Sequence, residues 1–110
     1  AIPDVILLHD QKGMILGVQE SAPTPGFFQK DRLVGKTVTE AFPGGIGEQM
    51  LHKIRESCRA GHTSILEIST DGPQSRQFFE LRYACMENGQ VLGAARDISR
   101  TKNTQQINYR

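Results

Sequence analysis

Two β-type runs joined by the dipeptide Asn88-Gly89 constrain the fold of this chain more than any other feature. The runs cover residues 76–86 and 90–98, and Asn-Gly is the dipeptide that most readily adopts the positive φ angles of a two-residue hairpin turn. The second run stops at Arg96-Asp97-Ile98-Ser99, after which the chain is polar and its apolar period is lost. A β-hairpin with an abrupt end therefore closes the folded part of the chain.

Three further strands are predicted before this hairpin. Residues 5–9 and 14–19 flank the turn Asp10–Gly13, whose glycine can adopt a left-handed conformation, so these two runs form a hairpin of their own. Residues 63–70 form the third strand. The chain therefore contains five strands.

One long helix and a short capped helix lie between the second and third strands. Apolar residues recur every four positions, which predicts a helix from Ile46 to Ala60 that Gly61 closes; the residues of this stripe are Ile46, Met50, Ile54 and Cys58. Thr37 with Glu40 three residues later is the pattern of a capping box, and it predicts a short helix before Pro43.

The order of elements is β-β-(short helices)-α-β-β-β, and it restricts the topology. A two-strand hairpin and a three-strand meander can share one antiparallel sheet only if the fifth strand pairs with the first. The intervening helices must then cover one face of the sheet. The predicted fold class is α+β: a five-stranded antiparallel sheet with short helices and one long helix on one face.

Composition limits the partners and the compartment. A chain of 110 residues fits one domain, and a net charge of +1 with basic residues scattered among acidic ones argues against binding to nucleic acid or an anionic membrane. The longest apolar run, Val5–Leu8, is far shorter than the ~20 residues of a membrane span. No signal peptide is visible, so we expect a cytoplasmic location and no membrane contact by this segment.

The two cysteines show no motif spacing. Cys58 lies in the predicted long helix and Cys85 in the fourth strand, and no CxxC pair or Cys/His cluster accompanies them. In a reducing cytoplasm, we expect two buried thiols rather than a disulfide.

Short patterns distributed along residues ~4–102 resemble those of PAS domains. In addition to the element order, the resemblance rests on the exit Arg96-Asp-Ile-Ser99 and on these pieces: Asp4-Val-Ile6, Asp10-x-x-Gly13-x-Ile15, Leu33-Val-Gly-Lys36, Glu40-Ala-Phe-Pro43, Asp71-Gly72 and Glu87-Asn-Gly-Gln-Val-Leu-Gly93. Three features depart from the family pattern: Val18-Gln-Glu-Ser-Ala22 after the second strand, where the family usually has N-x-A; the double proline at Pro23 and Pro25; and Arg100-Thr101 after the exit.

The resemblance implies a sensory domain of a bacterial-type signalling protein. It implies a PAS domain over residues 1–99 and a polar linker over residues 100–110 that leads to a covalently attached effector domain. In the family Asp97 would connect the last strand to the outgoing linker, which makes it the candidate signal-exit residue. Gln106–Arg110 resembles the linker before GGDEF diguanylate cyclase domains, and a histidine kinase is the other candidate effector.

Haem, flavin and metal ions are not expected as cofactors. Haem-binding PAS domains use a histidine on the long helix, but His52 lies about 165° from the apolar stripe and should face solvent. Photoactive flavin domains need a cysteine on a short helix before the long one, where this chain has none. His9 and His62 are interpreted as surface imidazoles, and no histidine pair has metal-ligand spacing.

No catalytic residue is predicted. The chain contains no nucleophile elbow and no paired-carboxylate motif. Gly44-Gly-Ile-Gly47 lacks the Lys-Ser/Thr of a phosphate loop, so it is interpreted as a turn at the start of a helix. We therefore expect a non-enzyme.

The remaining candidate site is an aliphatic pocket between the long helix and the sheet. The candidate wall residues are Phe42, Met50, Ile54, Leu66, Ile68, Phe79, Leu81 and Tyr83. These side chains either fill the core or surround a small apolar or amphipathic ligand, whose polar end the Tyr83 hydroxyl or Arg82 would hold.

The opposite face of the fourth strand suggests a second role. Phe78 and Met86 make this face more apolar than a solvated sheet needs, so they are candidate interface residues of a homodimer or of contact with a flanking helix. The alternative to a ligand sensor is therefore a ligand-free dimerisation module within a signalling protein.

Overall fold

In the described part of the chain, five strands and three named helices follow one another in the predicted order β-β-(short helices)-α-β-β-β. The computed structural model describes residues 4–21, 28–71 and 76–102. Its elements are β1 (Val5–His9), β2 (Ile15–Glu20), α1 (Lys30–Leu33), α2 (Val38–Ala41), α3 (Ile46–Ala60), β3 (Ser64–Asp71), β4 (Arg76–Cys85) and β5 (Val91–Asp97). Residues 99–102 are also helical. The second residue of the Asp71-Gly72 turn and residues 103–110 of the predicted linker lie outside the described residues.

The sheet is antiparallel throughout, and its strand order is β2-β1-β5-β4-β3. The first strand pairs with the fifth along its whole length, from Val5 opposite Ala95 to His9 opposite Val91. The sequence analysis required the fifth strand to pair with the first if all five strands were to share one sheet. This pairing confirms the predicted α+β class. The first and last strands of the sequence thus occupy the centre of the sheet.

One face of the sheet, which we call the inner face, packs against the helices. Alternate residues of β1, such as Val5 and Leu7, point toward it, whereas a register shift between β1 and β2 breaks the alternation in β2. Met50 and Ile54 of α3 are fully buried against this face, together with Phe28 and Phe42. The apolar stripe that predicted α3 is therefore its core-facing side.

The connection before α3 depends on a cap and a glycine. Thr37 and Glu40 form the predicted capping box at the start of α2. Gly47, in the first turn of α3, lies so close to α2 that an added Cβ would come within 2.8 Å of the Phe42 carbonyl oxygen. Only glycine allows this approach, because backbone atoms cannot move aside as a flexible side chain can.

The turn between β4 and β5 differs from the predicted two-residue hairpin. Gly89 alone has a positive φ, at 86°, and its N–H donates to the Met86 carbonyl at 2.9 Å. The Asn88 side chain instead accepts a hydrogen bond from the Gln90 N–H at 3.0 Å. A longer turn with one left-handed glycine therefore replaces the turn that needs two positive φ angles.

The prediction of two free thiols is wrong in this structure, because Cys58 and Cys85 form a disulfide. The last turn of α3 crosses the end of β4, and the two Cα atoms lie 4.9 Å apart, within the range that a disulfide requires. This bond joins the helical layer to the sheet at one end of the core.

Reduction of this disulfide should destabilise the domain. The bond closes a loop with a sequence separation of 27 residues, and a loop of that length predicts a loss of about 3 kcal/mol in the free energy of unfolding. The measurement is urea unfolding of the oxidised and reduced protein. The Cys58→Ala/Cys85→Ala double variant is the control, since its midpoint should not respond to reductant. Equal midpoints for the two forms of the wild type would contradict the prediction.

Candidate functional site

Three polar side chains lie buried on the inner face without a partner. His9 and Tyr83 have no exposed surface and Ser64 is 3% exposed. Within the described residues, both His9 ring nitrogens, Ser64 Oγ and Tyr83 Oη have no hydrogen-bond partner. Buried polar groups are nearly always hydrogen-bonded, so this set marks a place where a further molecule could bind. We call His9, Ser64 and Tyr83 the polar cluster.

Strand alternation and register bring the polar cluster together. His9 follows Val5 and Leu7 on the inner face of β1, and its ring centroid lies 5.8 Å from that of Tyr83. Ser64 of β3 is the register partner of Tyr83, whose partner on β5 is Gly93. His9 and Tyr83 therefore lie side by side over β5, and Ser64 lies on the other side of Tyr83, on the next strand.

Gly93 lets the rings of Tyr83 and His9 pack closely over β5. A Cβ at this position would lie 2.9 Å from Tyr83 Cε1 and 3.4 Å from His9 Nε2. The separation from Tyr83 Cε1 is shorter than the contacts that real Cβ atoms make, so a side chain at position 93 would clash with the Tyr83 ring. The missing side chain therefore lets both rings approach the sheet.

Burial keeps the two titratable groups of the cluster neutral at pH 7. Desolvation lowers the pKa of His9 from 6.5 to about 4, although the Met14 carbonyl and the Asp10 charge act in the opposite direction. The Met14 carbonyl raises the pKa of His9, but its oxygen does not have hydrogen-bond geometry to either ring nitrogen. Burial also raises the pKa of the Tyr83 hydroxyl. The cluster therefore presents hydrogen-bonding groups without charge.

The predicted wall residues lie together around the inner face. Seven are buried and Leu66 is half-buried against the same core. The buried seven are Phe42, Met50, Ile54, Ile68, Phe79, Leu81 and Tyr83. Tyr83 supplies the one polar group of this set. Contact of these residues with a ligand stays a prediction.

Two of the interpretations made from the sequence are wrong about this region. His9 is a buried member of the polar cluster rather than a surface imidazole, because strand alternation places it on the face of Val5 and Leu7. Arg82 cannot hold a ligand in the core, because it lies on the opposite, outer face and pairs with Glu80 at 2.9 Å. The alternation of Val5, Leu7 and His9 along β1 is the sequence pattern that indicates a buried His9.

The last strand ends in a network of hydrogen bonds around Asp97. Its carboxylate accepts from the Ser99 N–H at 2.8 Å, and its own N–H donates to the Asp4 carboxylate at 2.8 Å. Ser99 Oγ accepts from the Phe78 N–H at 2.9 Å. Lys102 pairs with Glu67 of β3 at 2.8 Å. Asp97 thus contacts both the start of the fold and the outgoing helical turn, and its role in signalling stays a prediction.

The two candidate interface residues do not form one patch. Phe78 lies near the start of β4 and Met86 follows its last residue, and both are half-buried. A different apolar groove lies on the outer face across β2, β1 and β5, with Ile6, Leu8 and Leu92 among its lining residues. Leu92 is 39% exposed.

Other candidate features are placed as follows. His52 is exposed on α3, and His62 is exposed after that helix. Among the described ranges, no three His, Cys, Asp or Glu side chains come together as metal ligands. The expected absence of haem, flavin and metal stays a prediction. None of the helices in the described part of the chain has the length and hydrophobicity that crossing a bilayer requires.

Comparison with known families and structures gives a consistent result. The family described as the PAS fold matches residues 1–103. None of the curated proteins matches this chain. Solved structures match over most of its length, at identities low enough that they show the fold alone.

Three of these structures are representative. A domain of an HTR-like protein from Haloarcula marismortui has a TM-score of 0.67 and 20% identity, and the match covers 87% of this chain and 98% of that one. The PAS domain of the quorum-sensing receptor RpfR from Cronobacter turicensis, in complex with C12:0, gives 0.68 and 15%, over 89% and 96%. A sensory box sensor histidine kinase from Vibrio cholerae gives 0.58 and 18%, over 84% and 80%.

The buried His9 should make stability fall as the pH is lowered. The unfolded imidazole binds a proton below pH 6.5 and the folded one only near pH 4, so folding stability present above pH 6.5 is lost between these values. A shift of this size corresponds to about 3 kcal/mol. Urea unfolding from pH 7.5 to 4.5 measures the loss, and NMR titration of the imidazole measures the pKa.

Two variants distinguish the contribution of His9 to this pH dependence from the contributions of the other titrating groups. His9→Gln should show a shallower pH dependence than the wild type, because its side chain does not titrate. His52→Gln removes an exposed histidine of α3 and should retain the wild-type slope. Parallel curves for His9→Gln and the wild type would show that His9 does not cause the loss.

Proposed function

The chain belongs to the PAS fold family, and we propose that it is the sensory module of a bacterial-type signalling protein. It binds a small apolar or amphipathic ligand between α3 and the inner face. The change on binding passes through residues 100–110 to a covalently linked effector. The module itself performs no catalysis.

The polar cluster is the observation that carries this proposal. Leaving a buried polar group without a partner costs about 1–3 kcal/mol; in the described part of the chain His9 and Tyr83 are two such side chains in ring contact, and Ser64, a third, is the register partner of Tyr83. A ligand whose polar end satisfies them would offset that cost. The surrounding side chains are apolar, as a pocket for an amphipathic molecule requires.

The relatives support a ligand and an output of this kind. The RpfR PAS domain was solved in complex with C12:0. The Vibrio cholerae relative is part of a sensor histidine kinase. We propose a histidine kinase or a diguanylate cyclase as the effector here. The Gln106–Arg110 segment that suggests a cyclase lies outside the described residues, and the next ~60 codons of the gene would identify the domain.

The cytoplasmic location is part of the same proposal. A reducing cytoplasm would keep most of Cys58 and Cys85 as thiols, whereas an oxidising compartment would retain their disulfide. Alkylation of thiols in intact cells measures whether these two cysteines are thiols or a disulfide.

Ligand binding in the core is tested by thermal shift with a panel of medium-chain amphiphiles. We expect at least one compound to raise the Tm by a few degrees, because a ligand that binds only the folded state stabilises it. Leu66→Trp should reduce this shift, since the larger side chain fills space beside the inner face. Ile65→Trp is the matched control, because Ile65 is the preceding residue, on the outer face, and is 49% exposed. No shift across the panel would overturn the ligand proposal.

Homodimerisation is the second candidate function, and the outer-face groove is the observation that favours it. Ile6, Leu8 and Leu92 offer apolar area that association would bury. We expect sedimentation to show a dimer. Leu92→Glu should weaken it by at least about tenfold, as for a central interface residue. Phe78→Glu tests the interface predicted from the sequence, and Glu87→Lys in the β4–β5 turn is the control. A monomer at millimolar concentration would contradict this function.

A further inference from the structure

We infer that the polar cluster selects a ligand with an uncharged polar head, such as an alcohol or an amide, and discriminates against a carboxylate. This inference rests on the proposed function, because it concerns the ligand of the same site. The head would lie at Tyr83, which has His9 on one side and Ser64 on the other, and the aliphatic body would lie along the apolar inner face.

The hydrogen-bonding capacity of the cluster favours a head that both donates and accepts. The Ser64 and Tyr83 hydroxyls each offer one donor and free lone pairs, and neutral His9 offers one N–H and one acceptor nitrogen. All of these atoms lack partners within the described residues. An alcohol or a primary amide can pair with donors and acceptors at once. A carboxylate only accepts, so it would leave the acceptor nitrogen of His9 unpaired.

The charge of the surroundings argues against an anionic head. In the described part of the chain, the buried polar side chains are His9, Ser57 and Ser64, with the Tyr83 hydroxyl beside them, and no Lys or Arg is buried. Ser57 already donates to the Ile54 carbonyl at 2.7 Å. The nearby arginine on β4, Arg82, lies on the outer face and pairs with Glu80. A buried carboxylate without a cation is strongly unfavourable.

The neighbours of the cluster suit an aliphatic body. Along the inner face Tyr83 is followed toward the start of β4 by Leu81 and Phe79, both buried. Ile54 and Met50 cover this face from α3. The Tyr83 ring lies directly over Gly93 of β5, with His9 beside it, so both rings border this apolar face. The ligand class is therefore an amphipathic molecule with a neutral head.

The experiment compares 1-octanol with octanoate, which share a chain length and differ in the charge of the head. Each is titrated into the 110-residue protein at pH 7.5, and amide shifts are followed by NMR. We expect the amides of Ser64, Tyr83 and Gly93 to move with octanol at a Kd at least tenfold lower than with octanoate. The Leu92 amide reports binding in the outer-face groove instead.

Variants test whether the cluster makes the distinction. Tyr83→Phe and Ser64→Ala should each weaken octanol binding by about 3- to 10-fold, the loss of one neutral hydrogen bond, and should leave octanoate binding nearly unchanged. Thr63→Ala is the control for Ser64→Ala, because Thr63 is the exposed residue next to it. Equal weakening of both compounds would indicate a packing effect and overturn the assignment of these hydroxyls to the head.

The outcomes separate this inference from the proposed function. Octanoate binding as tight as octanol at the inner face would overturn the selection of a neutral head while leaving ligand sensing in place. Binding of both compounds only at the Leu92 groove would overturn the inference. The amphiphile panel then decides independently whether any ligand enters the core.

Discussion

The pairing of the fifth strand with the first is the constraint on which the rest of the structure depends. It joins two separate antiparallel units into one sheet, in which the first and last strands are neighbours. Without it, His9 of β1 would not lie beside Gly93 of β5, and Asp4 would not reach Asp97. The candidate site and the exit of the chain are thus products of one long-range contact, whose loop-closure cost must be met by the core that it completes.

The site and the exit share a strand, and this suggests how a signal could move between them. Gly93 lies beside the polar cluster and Asp97 ends the same strand four residues later, a distance of about 13 Å at the rise of a β-strand. The hydrogen bonds of Asp97 and Ser99 hold the end of β5 to its neighbours, so a ligand that displaced this strand would alter them.

The sequence predicted the architecture well and the chemistry of the site less well, for physical reasons. The bounds of α3 and the Thr37 cap followed from local periodicity and capping, which need only neighbouring residues. The burial of the predicted wall residues followed from helix periodicity and strand alternation, and their contact with a ligand stays a prediction. His9 was misplaced because its position at a strand end outweighed the alternation that buries it. The disulfide depends on the approach of α3 to the end of β4, which no spacing between two cysteines reveals. The lack of partners for Tyr83 and Ser64 is also a tertiary property.

The hydrogen bond between the Asp4 carboxylate and the Asp97 N–H has a mechanical consequence. It holds the backbone that enters β1 against the backbone that leaves β5, so both lie at one corner of the fold. A torque applied to the outgoing helical turn is therefore transmitted to the incoming chain as well. The start of β1 and the helical turn after β5 would therefore move together rather than independently.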